Sequence, residues 1–458
     1  MSAGTLGSNE RVRRLMTGAS IQIDPLFAYY QNRSADSVAA ELEAAGYGCV
    51  HYFVVREDQV NDKIVEALQR RGIAVWAMIL GNGVFSTAHL PEGWKQWRME
   101  LVKEPSDSYC RLSPFAEEYV QWRKQEATRL VQRIPFDGFE IAEPYFPEWE
   151  GLASGTYGDI GAHAAAAFQA KFGSVMPDFR DKRSSRYYKK VPELYSQWVE
   201  LRVQAVNHMI DEVINGAGGV RQARPDIQIA TWSLAVQSGR KGPALLREWQ
   251  GLDAVSMIRQ VKPDMHVLQT HWPDWMKARL PADYIAKYRE FLDPIRSSYP
   301  GLPIGIQADI GSLPRMVRGT DWLRQFAAHV PTAGFDAWTA YEYHVGGYMY
   351  DQPPIPLSVS RSAANELVVT FNKRIETNAA LSVGHYPRQI SDYVVEELRI
   401  HSSETDGNRL YLLLEGLPVE AFVMRLSGVQ DTPQLWLQKR RKANSIPTAA
   451  HVQVPSWR

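Results

Sequence analysis

Two glutamates at the end of one apolar segment are the side chains best placed for chemistry in this sequence. The segment 136–142 is rich in β-forming residues and carries Glu140, and Glu143 follows it directly before Pro144. An unpaired carboxylate costs several kcal/mol to bury, so an apolar segment does not carry acids without a reason. Carboxyl groups in such positions can serve as general acids, general bases or nucleophiles.

Other polar and aromatic side chains stand where further short apolar segments end. Asp309 closes one of these segments and Glu342 follows another. Cleavage of a glycosidic bond uses two carboxyl groups, one to protonate the leaving oxygen and one to attack the anomeric carbon or activate water. The expected catalytic residues are Glu143 and Asp309, with Glu140 and Glu342 as substitutes. The expected substrate-binding residues are Asp24, Arg56, Trp232, His271, Trp272, Trp338, Tyr341 and Tyr343.

The elements that must position these side chains alternate between strands and helices. Apolar runs typical of buried parallel strands occur at residues 20–27, 47–55, 73–80, 136–142, 227–234, 265–270, 303–308 and 334–340. Amphipathic helical patterns separate them, which predicts a (β/α)8 barrel over residues 20–355. In such a barrel the carboxyl ends of the strands form the active face, and the fourth and seventh strands lie on opposite sides of it.

An open, doubly wound parallel sheet is the rival architecture. Its first strand usually leads into a glycine-rich turn that holds a phosphate group. The corresponding turn here, residues 24–30, contains no glycine. The barrel is therefore favoured.

The composition changes beyond Gly346, where a proline-rich stretch marks a domain boundary. Short strand patterns follow at residues 367–371, 393–400, 410–414, 421–426 and 434–437, separated by turn residues. They predict an accessory β-sandwich over residues 356–458. Residues 1–19 are expected to form a polar N-terminal tail.

Charge and cysteine content exclude several functions. Basic and acidic residues number 51 each, so nothing favours nucleic acid or an anionic membrane surface as a partner. With two cysteines, neither a disulfide framework nor a thiolate zinc cluster is expected. No signal-peptide pattern and no membrane-spanning run are visible, so we expect a cytoplasmic protein that acts on a soluble carbohydrate without a cofactor or metal. The oligomeric state stays open.

The sequence resembles the large group of retaining glycoside hydrolases with (β/α)8 catalytic domains, often called clan A. Members carry an Asn-Glu-Pro type motif after the fourth strand, and here residues 142–144 read Ala-Glu-Pro. Their nucleophile ends the seventh strand, where residues 308–311 read Ala-Asp-Ile-Gly. The resemblance implies Glu143 as acid/base and Asp309 as nucleophile. An arginine after the second strand (Arg56) and a tryptophan on the eighth (Trp338) also fit.

Two positions depart from this family pattern. Ala142 replaces the asparagine that hydrogen-bonds the sugar, and Asp309 is one methylene shorter than the usual glutamate. The departures indicate a divergent member.

Two other functions stay open at this point. A metal-dependent sugar isomerase or epimerase would use Glu143, His271, Asp309 and Glu342 as ligands. A barrel with an altered acid pair would instead bind carbohydrate without cleaving it. Asp309 also has a purely structural interpretation, as the cap of a helix that begins near Ser312.

Overall fold

A computed structural model describes residues 8–386 and 396–457 of the chain. Its first part is a closed barrel of eight parallel strands, numbered β1 to β8, which confirms the predicted fold. The strands are β1 (Gly18–Ile23), β2 (Cys49–Val54), β3 (Ala74–Leu80), β4 (Gly138–Ala142), β5 (Gln228–Ala235), β6 (Met265–Thr270), β7 (Ile304–Asp309) and β8 (Ala337–Tyr341). Each strand pairs with its neighbour in sequence, and β8 returns to β1 with Thr339 opposite Ser20.

Strand alternation separates the side chains into two sets. One set, which includes Trp76, Trp232 and Val267, fills the inside of the barrel. The other set, which includes Ile79 and Ile306, points outward and packs under the helices. Burial on both faces explains why the strands read as nearly continuous apolar runs.

Helices connect the strands and cover the barrel. They are α1 (Ser8–Met16), α2 (Ala35–Ala44), α3 (Asp62–Arg70), α4 (Glu117–Arg133), α5 (Ala162–Phe172), α6 (Pro192–Asn215), α7 (Val220–Ala223), α8 (Gly242–Gln250), α9 (Ala254–Val261), α10 (Trp272–Trp275), α11 (Arg289–Ser298), α12 (Thr320–Thr332) and α13 (Gly347–Asp351). Local signals explain their ends. The hydroxyl of Ser34 caps α2 by accepting from the amide of Ser37 at 3.1 Å, and Gly72 follows α3 with a φ of 73°.

Helix α1 occupies part of the segment predicted to be a polar tail. Its Leu15 is buried with side chains from the amino-terminal ends of the barrel strands. Arg14 donates to the carbonyl of Gly72 at 3.0 Å, and Arg11 pairs with Asp137 at 2.9 Å. Arg11 and Arg14 therefore hold the helix against the amino-terminal end of the barrel, where a solvated tail was predicted.

The connections after β3 and β4 are the long ones, as the sequence indicated. The first holds a short two-stranded ribbon, Gly83–Val84 paired with Cys110–Arg111, and the second holds α5 and α6. The helical patterns at residues 281–296 and 312–330 predicted earlier starts than the structure shows, since α11 begins at Arg289 and α12 at Thr320. The chain after β7 is consequently a loop where the sequence suggested a helix.

Residues beyond the barrel form an antiparallel domain. Its strands are β9 (Pro356–Ala363), β10 (Glu366–Phe371), β11 (Ile375–Tyr386), β12 (Glu396–Asp406), β13 (Arg409–Glu415), β14 (Phe422–Asp431) and β15 (His451–Val454). Within the described residues they form one sheet in the order β9-β10-β13-β12-β11-β14-β15. The edge strands β9 and β15 contact each other, so the sheet folds over a single apolar core in the manner of a β-sandwich.

Individual strands of this domain were harder to predict. The patterns at 367–371, 410–414 and 421–426 are confirmed by β10, β13 and β14, whereas β9, β11 and β15 were missed. The pattern at 434–437 is not a strand, since Pro433–Leu435 forms a 3-10 turn. Part of the predicted strand 393–400 lies outside the described residues, and β12 begins at Glu396.

The β-domain packs against loops of the barrel. Arg374 donates to the carbonyl of Gln31 at 2.8 Å, beyond β1, and Gln438 donates to the carbonyl of Ser312 at 3.1 Å, beyond β7. Lys373 donates to the carbonyl of Met349 at 2.7 Å and pairs with Asp431 at 3.1 Å. No helix of the described part of the chain is long and apolar enough to cross a membrane.

Candidate active site

A cavity of about 290 Å³ opens at the carboxyl ends of the barrel strands. That volume is at the small end of the range for ligand pockets. Its walls combine acids, amides and aromatic rings: Gln22, Phe53, Met78, Phe85, Ala142, Glu143, Tyr145, Trp232, Leu234, Gln269, Thr270, His271, Trp272, Trp275, Gln307, Asp309, Ser312 and Tyr341. Of the ten predicted binding or catalytic residues other than Glu143 and Asp309, four lie in this wall: Trp232, His271, Trp272 and Tyr341.

Glu143 lines the cavity directly after β4. Its backbone has a φ of 52°, in the left-handed region that side chains other than glycine rarely adopt. Strain of this kind costs about 1–3 kcal/mol and is concentrated at functional sites. Burial raises the pKa of the Glu143 carboxyl, while a hydrogen bond from Gln269 and the charge of Arg111 act in the opposite direction. The site therefore favours a protonated Glu143 more than water does.

Asp309 lines the cavity from the end of β7 and is 6% exposed. Its carboxylate accepts from the amides of Gly311 and Ser312, both at 3.0 Å, and from the hydroxyl of Ser312. Burial raises the pKa of Asp309, and these hydrogen bonds with the charge of Arg318 counteract the rise. Asp309 caps a turn of the loop, because the next helix, α12, begins only at Thr320.

Tyr341, at the end of β8, lies close enough to several carboxyl groups for their charges to act on it. Burial raises the pKa of Tyr341 well above its ordinary value, and the charges of Glu342, Asp309, Asp24 and Glu143 raise it further. Tyr341 also lines the cavity. Glu143 and Asp309 therefore line one opening.

Three glutamines give the cavity an amide-rich floor. Gln22, Gln269 and Gln307 project inward from β1, β6 and β7. Gln307 is 4% exposed, and its Oε1 has no hydrogen-bond partner among the described residues. The Nε2 of His271, also 4% exposed, is likewise unpartnered. Buried polar atoms are nearly always hydrogen-bonded, so two orphans in one cavity indicate places for ligand atoms.

Aromatic rings form the remaining walls. Trp272 donates from Nε1 to Glu148 at 2.7 Å, which fixes the plane of its ring. Phe85 is 53% exposed and packs at 4.9 Å against Tyr109. A large apolar ring that stays exposed at the mouth of a cavity is suited to cover a ligand. Trp232, Trp275 and Tyr145 complete these walls.

Sequence reasoning missed the glutamines, Phe85 and Tyr145. Strand alternation could have predicted the glutamines, because each lies at the last inward-pointing position of its strand or two residues before it. Phe85 stands in the long connection after β3, and nothing in its sequence surroundings places it at the cavity.

Glu140 lies inside the barrel, one layer below the cavity, and is not part of its wall. His51 Nδ1 is 2.6 Å from its Oε1, and Trp232 donates from Nε1 to its Oε2 at 2.9 Å. The other ring nitrogen of His51 is 2.9 Å from the hydroxyl of Ser20. Strand geometry explains the correction, since Glu140 precedes the cavity residue Ala142 by one inward position.

Glu342 is also turned away from the cavity. Its fully buried carboxylate accepts from the amide of Asp24 at 2.9 Å, the hydroxyl of Tyr30 at 2.9 Å and the amide of His344 at 2.7 Å. Tyr343 is buried beside Tyr29 and does not reach the cavity. Both residues follow the last inward position of β8, so they stabilise the turn behind it.

Three further predicted binding residues lie outside the cavity wall. Trp338 faces the helices, where it meets the ring of Phe326 at 6.0 Å, because the inward positions of β8 are odd-numbered. Arg56 forms an ion pair with Asp58 at 2.6 Å. Asp24 is buried and accepts from the amide of Leu26 at 3.0 Å.

The metal-ligand set considered for an isomerase is not assembled. Among residues 8–386 and 396–457, no three His, Cys, Asp or Glu side chains group so that they could hold a metal ion. Glu342, one of the four residues of that set, is committed to Tyr30 and Asp24. The geometry of the described residues therefore does not favour metal-dependent isomerisation.

Comparisons with known proteins agree with the fold. No family model and no curated protein matches the chain. Among solved structures, the PgaB (BpsB) glycoside hydrolase domain from Bordetella bronchiseptica matches with a TM-score of 0.54 at 16% identity, covering 71% of this chain and 94% of that one. An α-L-fucosidase from Paenibacillus thiaminolyticus has a TM-score of 0.43 at 12% identity, covering 72% and 47%. An endo-β-1,4-mannanase from Thermotoga petrophila has a TM-score of 0.38 at 12% identity, covering 96% and 98%. The match to the PgaB (BpsB) domain supports the closed barrel fold of this chain.

Proposed function

We propose that this protein is a glycoside hydrolase that binds a carbohydrate in the cavity of the barrel and cleaves a glycosidic bond. One observation carries the proposal. Two carboxyl groups from different strand ends, Glu143 after β4 and Asp309 at the end of β7, line a single small cavity together with indole rings and amides. Two facing carboxyl groups are the chemical requirement of glycoside hydrolysis.

Glu143 is the proposed proton donor. A general acid must hold its proton near the working pH, and burial raises the pKa of Glu143 in that direction. Its proton passes to the glycosidic oxygen as the bond from that oxygen to the anomeric carbon breaks. The leaving group then departs as a neutral alcohol, and Glu143 becomes a carboxylate able to accept a proton from water.

Asp309 is the proposed nucleophile or base. Its carboxylate either attacks the anomeric carbon or removes a proton from the water that attacks it. Three donors from Gly311 and Ser312 hold the group in one orientation, which lowers the entropic cost of reaching the transition state. Burial raises the pKa of Asp309, and the hydrogen bonds from Ser312 and Gly311 with the charge of Arg318 oppose that rise in favour of the ionised form that either role requires.

Aromatic walls supply binding surface for the sugar rings. Trp272 has its plane fixed by Glu148, and Trp232 has its plane fixed by Glu140. Phe85 lies at the mouth, where it can cover the group attached to the sugar in the cavity. The cavity walls would recognise one sugar specifically, and Phe85 at the mouth would make a less specific contact with the attached group.

A panel of aryl glycosides tests the proposal. The wild-type protein should hydrolyse at least one of them. The kcat of Glu143→Gln on a glycoside with a poor leaving group should fall about 10²–10⁴-fold, and the kcat of Asp309→Asn should fall about 10³-fold or more. Glu92→Gln and Asp283→Asn, at exposed positions, are the matched controls and should keep full activity. Full activity in both site variants would refute the assignment.

Non-catalytic carbohydrate binding is the second candidate, and one observation favours it. The carboxylate of Asp309 already accepts three hydrogen bonds within its own turn, which is also what a purely structural aspartate does. Quenching of tryptophan fluorescence by sugars, without release of product from any glycoside, would support this alternative over hydrolysis.

A further inference from the structure

The ionisable side chains that line the cavity, in the described part of the chain, include acids but no lysine or arginine. Glu143 and Asp309 are its two acids, and among the described residues no lysine or arginine lines the wall. The other ionisable groups that face the space are His271, Tyr145 and Tyr341. A bound anion would therefore lack a direct countercharge.

Two guanidinium groups whose charges act on the cavity acids are engaged elsewhere. Arg111, whose charge acts on Glu143, forms two hydrogen bonds with Asp107 at 3.0 and 2.8 Å. Arg318, whose charge acts on Asp309, donates to the carbonyl of Ala278 at 2.9 Å. Neither arginine belongs to the cavity wall.

His271 does not supply a positive charge either. Burial lowers the pKa of its imidazole to about 3, so the ring is neutral at ordinary pH. Tyr145, Trp149 and Trp272 surround it with aromatic rings at centroid distances of 6.5, 5.4 and 6.1 Å. The unpartnered Nε2 of His271 is thus a neutral hydrogen-bonding group.

The unpartnered Oε1 of Gln307 limits which ligand atom can lie opposite it. Its Oε1 is an acceptor, so the ligand atom opposite it must be a donor. A sugar hydroxyl meets that requirement, whereas a carboxylate or sulfate oxygen does not. Leaving a buried acceptor unsatisfied is unfavourable, so a ligand that donates to it binds more tightly.

We infer that the cavity recognises an uncharged sugar, with one hydroxyl donating to Gln307 Oε1, and that it excludes acidic sugars such as uronates and sulfated residues. The inference rests on the proposed function in one respect, that the ligand is a carbohydrate. An anionic sugar would place its charge beside the Asp309 carboxylate, the ionised member of the proposed pair, in a desolvated space whose described wall holds no lysine or arginine. Juxtaposed like charges at an interface weaken binding by about 100-fold or more.

Binding measured by tryptophan fluorescence tests the inference without requiring turnover, since Trp232, Trp272 and Trp275 line the cavity. The probes are glucose, galactose, mannose and xylose, with glucuronate and galacturonate as charged counterparts. At least one neutral sugar should bind, and its uronate should bind about 100-fold more weakly or not at all. Equal binding of a uronate and its parent sugar, or binding of none of the neutral sugars, would overturn the inference.

Replacement of Gln307 tests the contact itself. Gln307→Leu removes the acceptor at similar size and should weaken binding of the neutral sugar by about 10-fold. Gln132→Leu, at an exposed position of α4, is the matched control and should leave binding unchanged. Unchanged affinity in Gln307→Leu, with the fold verified by circular dichroism, would show that Gln307 does not contact the ligand.

Failure of this inference is distinguishable from failure of the proposed function. If neutral aryl glycosides and the matching glucuronides are hydrolysed with similar kcat/KM, the protein is a hydrolase and the charge selectivity is wrong. If neutral sugars bind selectively and no glycoside is cleaved, the selectivity holds and the hydrolase proposal fails.

Discussion

Asp24 gives a stability prediction whose size follows from the structure. The carboxyl is buried at the end of β1, and its own amide donates to Glu342 at 2.9 Å, which brings two acids together. Burial raises the pKa of Asp24 from 3.8 to about 6; the hydrogen bond from the Leu26 amide opposes this rise and the charge of Glu342 adds to it. A shift of that size corresponds to about 3 kcal/mol.

The sign of the effect follows from proton binding. The folded chain holds the Asp24 proton more tightly than the unfolded chain, so this group lowers the free energy of unfolding as the pH rises from about 4 to about 6. Above that window the whole penalty is present. Asp24→Asn keeps an acceptor for Leu26 and removes the charge. It should be about 3 kcal/mol more stable than wild type at pH 7 and equal to it near pH 4.

Urea denaturation followed by tryptophan fluorescence at about pH 4, 5, 6 and 7 measures this difference. Asp283→Asn is the matched control, since Asp283 is exposed, and it should show no pH-dependent gain. A stability difference between Asp24→Asn and wild type that stays constant across the four pH values would refute the reasoning. So would a variant that is less stable than wild type at pH 7.

Three further predictions concern the site and the barrel interior. The kcat/KM of the wild type should fall as the pH rises through the elevated pKa of Glu143, because the acid then loses its proton. Glu143→Gln should no longer show this fall, and it should keep most activity on dinitrophenyl glycosides, whose leaving group needs no proton. A fall of kcat/KM with pH that persists in Glu143→Gln would contradict the acid role. His51→Ala removes one of the two partners of the buried Glu140 and leaves it with Trp232 alone. It should cost about 3–5 kcal/mol in denaturant unfolding, and a loss below about 1 kcal/mol would count against the His51–Glu140 contact. Phe85→Ala should raise KM about 3–10-fold for disaccharides with little change in kcat, and Phe85→Trp should restore it; equal KM values would place the second sugar elsewhere.

The barrel was predictable because its strands are buried on both faces. All eight strands were identified from apolar runs, and their ends moved by a few residues. Strand order alone predicted that the residues after β4 and at the end of β7 share one rim of the barrel, and the catalytic pairing of Glu143 with Asp309 stays a prediction. The direction of each side chain was the weak point. Trp338 was predicted to bind substrate, but it lies one residue away from the inward positions of β8. Its side chain therefore packs against the helices and not in the cavity.

Burial depth and loop conformation were beyond the sequence. Glu140 has the correct inward phase, but its depth depends on the partners His51 and Trp232, which come from other strands. Phe85 reaches the cavity through a long connection whose course depends on tertiary contacts. In the β-domain, β11 was missed because its alternation is interrupted, with a register shift between Thr377 and Ser382.

The contact between Gln438 and the loop after β7 affects how shortened versions of this protein should be interpreted. The side chain of Gln438 supports the carbonyl of Ser312, and Ser312 in turn holds Asp309. Deleting everything after residue 355 would remove that support, along with the hydrogen bonds that Arg374 makes to the loop after β1. An inactive truncated barrel would consequently say nothing about whether the deleted region touches carbohydrate.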